Sequence, residues 1–299
     1  MPRSTNAAVV SVLLGAVLFG TAGTAQALGP AGTTPIGVGT VRLLVGGLGL
    51  LLVLPLLGHR RVEALRAARS PWVIASVIGT ASYQLCFFAG VERAGVALGT
   101  LVAVGSAPLF AGLLGWATGH PPTRAWGVAT AVCLLGLTLL SAQGLTGGEP
   151  AGVALALGAG LAVAAYTVAV KRAFDAGGRP GPVLTASFLL GGLVLLPVLA
   201  TQPLAWLAAP CGVALAVYLG LATMTVANVL HARGLARLAP GPVATLMLVE
   251  PLVATVLGAV VLGERLTAPA GAGLLLVLGG LLLLGASVRR SDPEPVVPL

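Results

Sequence analysis

The chain has 299 residues, 57% of them hydrophobic and 8% charged, with 43 glycines and a mean hydropathy of +1.04. Soluble domains carry about 25% charged residues, so this composition excludes one and makes the bilayer the solvent. The net charge of +8 does not point to nucleic acid, whose binders cluster basic residues on one solvated face, because here the lysines and arginines fall in the gaps between apolar runs.

A crossing needs about 20 mostly apolar residues, and ten such segments can be drawn, over residues 7–28, 36–57, 72–90, 96–117, 125–142, 152–170, 183–200, 211–230, 243–262 and 268–288. In hydrocarbon the backbone must satisfy itself, so each is expected to be helical. The reading is an all-α, polytopic membrane protein. The first segment follows Arg3 and ends near Ala25-Gln26-Ala27, an imitation of a secretory signal with its cleavage site. Removing it would leave an odd number of spans and deprive a later helix of its repeat partner. Its small residues Ala16, Gly20 and Thr24 are matched in the sixth segment by Ala156, Gly160 and Ala164, spacings that permit close helix packing.

The second segment carries Arg42 inside the span and the third carries Tyr83 and Gln84. Glu250 lies near the middle of the ninth. Charges in hydrocarbon are costly unless they face a cavity or a partner, which makes Arg42 and Glu250 the clearest functional candidates. Glu250 could bind a substrate ammonium or take up a coupling proton, or its carboxyl could serve backbone groups freed by Pro251. Arg42 could hold a carboxylate bidentately or extend toward the interface and fix its helix. A direct Arg42–Glu250 pair would make both scaffold. Asn228 in the eighth segment is equally deep, and Tyr166 and Thr21 occupy equivalent places in the sixth and first. Such groups suit a cavity for a small polar solute and equally suit helix-to-helix bonding.

Outside these spans, His59, His120 and His231 are expected at cytoplasmic helix ends, solvated or interfacial. Cys86, Cys133 and Cys211 sit in separate apolar stretches with no metal-ligand spacing, so no metal and no cofactor is expected. No phosphate-cradling loop is present, and no nucleophile with a base is visible at helical spacing, which speaks against an enzyme. Lysines and arginines favour cytoplasmic loops. An N-terminus inside puts Arg3, Arg60, Arg61, Arg66, Arg69, Arg124, Lys171, Arg172, Arg179, Arg233, Arg237, Arg289 and Arg290 in the cytoplasm, against Arg93 and Arg265 outside. Both termini are therefore expected inside, in an inner membrane.

Self-comparison divides the chain. Leu44-Val45-Gly46-Gly47-Leu48 recurs as Leu189-Leu190-Gly191-Gly192-Leu193, each followed by a proline, Pro55 or Pro197. Thr100-Leu101 through Ala107-Pro108-Leu109 is echoed by Thr245-Leu246 through Glu250-Pro251-Leu252, and each leads to Gly119 or Gly263 and then Thr123 or Thr267. Two five-helix units follow, over 7–142 and 152–288, joined near residues 147–150 and trailed by a cytoplasmic tail at 289–299. Five is odd, so the second unit is inverted relative to the first, a recurring construction of secondary transporters.

On the Gly-Gly helix after Arg42, the Ala-Pro-Leu-Phe step at 107–110, and Glu250-Pro251-Leu252 with Leu262-Gly263-Glu264-Arg265-Leu266, the chain resembles the drug/metabolite transporter superfamily, of the ten-helix type with two EamA domains. The likeness covers essentially the whole chain. It departs at Gly119-His120-Pro121-Pro122, where the family often has a Gly-Glu-Arg step. The resemblance implies efflux of an amino acid or related metabolite by alternating access, with uptake or export of a cationic drug as the runner-up and a structural or receptor protein as the reading from another class. It implies a small-molecule partner, with proton coupling open, in a monomer or homodimer.

Overall fold

The computed structural model describes residues 2–142, 149–263, 265 and 267–290. Residues 147 and 148 of the expected join at 147–150 therefore fall outside the described residues, as do Glu264 and most of the 289–299 tail. Eight helices are long and apolar enough to cross a membrane: α1 Thr5–Ala27, α2 Pro35–Leu56, α3 Pro71–Ala94, α4 Leu98–Ala117, α6 Pro150–Asp175, α8 Pro210–Leu235, α9 Pro240–Val261 and α10 Ala268–Ala286. Two shorter apolar helices, α5 Arg124–Leu140 and α7 Pro180–Val194, complete ten. No strand occurs among the described residues.

Local chemistry sets the helix starts. Proline occupies the first turn of α2, α3, α6, α7, α8 and α9, where its missing N–H removes a donor that has no helical partner anyway. The hydroxyls of Thr34 and Thr123 cap α2 and α5 by accepting from the N–H groups of Gly37 and Trp126. Between α3 and α4 the chain reverses around Gly95, whose φ of 86° is available to glycine at little cost.

Several helices differ from the hydropathy segments, for physical reasons. The third, sixth and eighth run a turn further, to Ala94, Asp175 and Leu235, because their last turns carry polar residues such as Arg93, Lys171 and Arg233, which end a hydropathy segment without ending the helix. The seventh, expected over 183–200, ends at Val194 and resumes as the turn Leu196–Leu199, since Pro197 cannot extend the hydrogen-bond ladder. A short helix, Arg61–Ala67, fills the loop between α2 and α3.

All of the most extensive helix pairings join one half to the other. α3 packs on α6 as α8 packs on α1; α4 on α6 as α9 on α1; and α2 on α8 as α7 on α3. The pairs α2–α7, α4–α9 and α5–α10 map onto themselves when the halves are exchanged. The bundle is thus two five-helix repeats woven together, and with an odd number of crossings in each, exchange is inversion across the membrane. The repeated Gly-Gly motifs meet one another: a Cβ on Gly47 would lie 2.7 Å from the Leu189 nitrogen, and one on Gly192 would lie 2.6 Å from the Leu44 side chain. α1 is a core element, with Ala8, Val12 and Ala16 fully buried, while Leu52, Val260, Leu275 and Leu282 point outward as a lipid-facing surface.

Candidate functional site

Two helices lose regular geometry at the same place, and a third carries a proline there. α8 is π-helical over Leu219–Val226, a form that clusters at functional sites, and the Thr225 hydroxyl approaches the carbonyls of Gly46 at 3.0 Å and Gly220 at 3.2 Å. α9 is two helices, Pro240–Leu246 and Val249–Val261. Pro251 has no N–H for the Met247 carbonyl, and the Glu250 N–H bonds that carbonyl instead at 2.9 Å. α4 contains Pro108. Irregular backbone at membrane depth is tolerated where it borders a cavity, and here Ala107, Met224, Met247 and Leu248 all line one.

That cavity, of about 160 Å³, lies between the two halves. Arg42, Tyr83, Gln84, Tyr166, Asn228 and Glu250 all line it, drawn from α2, α3, α6, α8 and α9. At 1.5 Å per residue, Glu250 stands about 15 Å along α9, near the middle of a hydrocarbon layer about 30 Å thick. Tyr83 stacks on Phe87 with centroids 5.4 Å apart, and Tyr166 on Phe188 at 5.8 Å, so aromatic faces flank the polar groups.

Arg42 and Glu250 share the cavity wall but form no ion pair. The carboxylate of Glu250 has no hydrogen-bond partner among the described residues, and the carbonyl freed by Pro251 is already served by backbone. The Nε of Arg42 and both amide atoms of Gln84 are buried without partners, with Gln84 only 2% exposed. Asn228 is anchored differently, its amide donating to the Met224 carbonyl at 2.9 Å. Thr21 lies off this wall. Its hydroxyl donates to the Leu18 carbonyl at 2.6 Å and lies 2.7 Å from the hydroxyl of Tyr218.

His231 departs from the expected interfacial placement. α8 continues past it to Leu235, so the ring sits one turn inside the helix, is 9% exposed, lines the cavity and leaves Nε2 unpartnered. Its three-residue spacing from Asn228 put both on one face, which is the signal that could have found it. Thr80 and Thr167 also line the cavity. Thr80 precedes Gln84 by one helical turn.

A second space of about 210 Å³ adjoins the first at Phe19, Arg42, Tyr83 and Glu250 and extends past Gln26 and Pro35 to the end of the bundle where α2 begins. At the opposite end a third space, about 220 Å³ and lined by Thr5, His120 and Arg237, shares no lining residue with the central cavity. Between them Thr245 accepts from the Trp126 indole at 3.1 Å and lies 2.9 Å from the hydroxyl of Thr130. Near that end Asp175 joins Lys171 at 3.1 Å and His120 at 3.5 Å, while Glu63 lies between His59 and Arg179. Of these two spaces, only the one that extends past Gln26 and Pro35 shares lining residues with the central site. Among the described residues no group of three His, Cys, Asp or Glu could hold a metal ion.

Comparison with known proteins gives consistent relatives. The EamA-like transporter family matches residues 6–142 and again 150–286. The uncharacterized transporter YwfM of Bacillus subtilis is 36% identical over 281 residues, 93% of this chain and 94% of its own. The threonine/homoserine exporter RhtA of Escherichia coli K12 is 31% identical over 266 residues, 87% of this chain and 84% of its own. A solved crystal structure covers 96% of this chain and 99% of its own with a TM-score of 0.81 at 20% identity, a likeness of fold alone.

Proposed function

The chain belongs to the EamA-like transporter family, and from that premise we propose that it exports a small amino acid or closely related metabolite by alternating access. It is a multi-pass membrane transporter of the drug/metabolite type. We place it in the inner membrane with both termini in the cytoplasm, on the distribution of arginine and lysine. The two repeats then span 7–142 and 152–288, and the open space beside Arg42 faces outward.

One observation carries the substrate reading: a guanidinium and a carboxylate, unpaired with each other, face one cavity between the repeats. A zwitterion supplies both missing partners, its carboxylate to Arg42 and its ammonium to Glu250. Tyr83, Gln84, Asn228, Tyr166 and His231 surround it. The similarity to a threonine/homoserine exporter points the same way. A cationic drug fits less well, because the cation would meet Arg42. The pathway lies within one chain, so a monomer suffices.

The test is efflux from proteoliposomes loaded with amino acids, polyamines, sugars and cationic dyes, read by mass spectrometry with and without a pH gradient. Saturable loss of amino acids supports the reading, and its response to the gradient reports proton coupling. Selective loss of the dyes, or accumulation only in the uptake direction, would replace it.

A further inference from the structure

The loop between α2 and α3 carries four arginines against one glutamate, and that glutamate is turned inward. Glu63 accepts from the Arg60 N–H and lies 3.4 Å from His59 and 3.8 Å from Arg179. Ala64 is buried, and Ala67 and Ala68 pack on the core. The short helix Arg61–Ala67 is thereby fixed against α7, and its other face is turned outward. That face holds Arg61 with Leu65 and Val62 with Arg66, two pairs at four-residue spacing, while Arg60 and Arg69 stand at its ends. All six are exposed, Leu65 by 70%. None of the four arginines forms an ion pair among the described residues.

The neighbouring crossings fix the depth of this face. α2 ends at Leu56 and α3 begins at Pro71, so the helix, about 10 Å long at 1.5 Å per residue, has little chain with which to leave the membrane surface. Trp72, in the first turn of α3 and 36% exposed, lies 5.3 Å from the Arg172 guanidinium. Such amphipathic rings sit at headgroup level. Clustered arginines beside a crossing attract anionic headgroups, and a guanidinium can hold two phosphate oxygens bidentately. Leu65, Val62 and the arginine stems suit the apolar boundary just beneath. We propose that the outward face of Arg61–Ala67 binds the phosphate groups of anionic phospholipids and holds this loop on the bilayer surface.

The test compares the full chain in vesicles of phosphatidylcholine alone and of equimolar phosphatidylcholine and phosphatidylglycerol, reading amide hydrogen exchange of residues 61–67 at neutral pH. Lipid that binds the formed helix and not its opened state slows exchange, so wild type should exchange about fivefold or more slowly in the anionic vesicles, and high salt should shrink that ratio. The triple variant Arg61→Gln, Arg66→Gln, Arg69→Gln should exchange at nearly the same rate in both. Arg124→Gln, which removes an exposed charge at the start of α5, should keep the wild-type ratio. Equal wild-type exchange in the two vesicles overturns the proposal and leaves the face to a soluble partner, a comparison that stands even where the triple variant fails to fold. An unchanged ratio in the triple variant overturns it too, as does loss of the ratio in Arg124→Gln, which would assign the effect to net charge. Equal slowing by inorganic phosphate in phosphatidylcholine vesicles would make the ligand a free anion and overturn the membrane assignment. None of these outcomes depends on which solute the protein carries.

Discussion

Gly136 of α5 and Gly273 of α10 pack backbone against backbone, so that a Cβ on the first would lie 2.7 Å from the carbonyl oxygen of the second, and a Cβ on the second 2.5 Å from that of the first. Lipid supplies no hydrophobic drive between helices, so such close approach is what holds α5 to α10. Gly136→Val or Gly273→Val should cost about 1–3 kcal/mol, the usual penalty of overpacking. Thermal unfolding in detergent should show each variant melting below wild type, whereas Gly127→Ala, at a position with open space, should melt with it.

Thr245 closes the bundle below the central cavity. Its oxygen accepts from Trp126 Nε1 and lies 2.9 Å from the Thr130 hydroxyl, and its own hydroxyl donates to the Gly241 carbonyl. Thr245→Val preserves shape and orphans the buried indole N–H. The expected loss is about 1 kcal/mol, seen as a lower unfolding midpoint. Thr138→Val, which removes only an exposed bond to Leu134 within one helix, should change it little.

What the sequence disclosed and what it withheld divide along physical lines. Hydropathy placed the ten helices, because twenty apolar residues have few alternatives. The charges Arg42 and Glu250 were visible because a charge is anomalous in hydrocarbon. Polar residues were harder. Tyr166 and Thr21 hold equivalent places in the two repeats, yet Tyr166 lines the cavity while Thr21 bonds Tyr218 away from it, a difference set by which helix each one meets. His231 was obscured by the polar residues that end α8. The π-helical turn at Leu219–Val226 and the contact of Gly136 with Gly273 had no signature at all, since each depends on a partner distant in sequence.

Glu63 offers a pH-dependent test outside the membrane-spanning helices. Its carboxylate accepts the Arg60 N–H at 3.0 Å. That bond, ahead of the charges of His59 and Arg179 and against some desolvation, holds its pKa below the ordinary carboxylate value. A depressed folded pKa means that the stabilisation is complete above the unfolded value, about 4.3, and is lost as pH falls through the folded one. Hydrogen-exchange protection of Arg61–Ala67, corrected for intrinsic rates, should be level from about pH 7 to 5 and decline below that. In Glu63→Gln it should be lower at neutral pH and without that decline.

Arg42 and Glu250 provide the sharpest separation of function from scaffold. Were Glu250 structural, it would bond the backbone opened by Pro251, but the Met247 carbonyl is bonded by the Glu250 N–H. Were the two residues a structural pair, they would form an ion pair within 4.0 Å, and none is present. Glu250→Gln, which keeps shape and removes charge, should therefore leave yield and monodispersity at wild-type levels while amino-acid efflux falls about tenfold or more, the cost of one lost charged contact of about 1.5–3 kcal/mol. Arg42→Lys should fall less than Arg42→Gln, because lysine keeps the charge and gives up the bidentate geometry. Loss of folded protein in Glu250→Gln, with efflux per folded molecule unchanged, would return Glu250 to the scaffold and leave the cavity to its neutral residues.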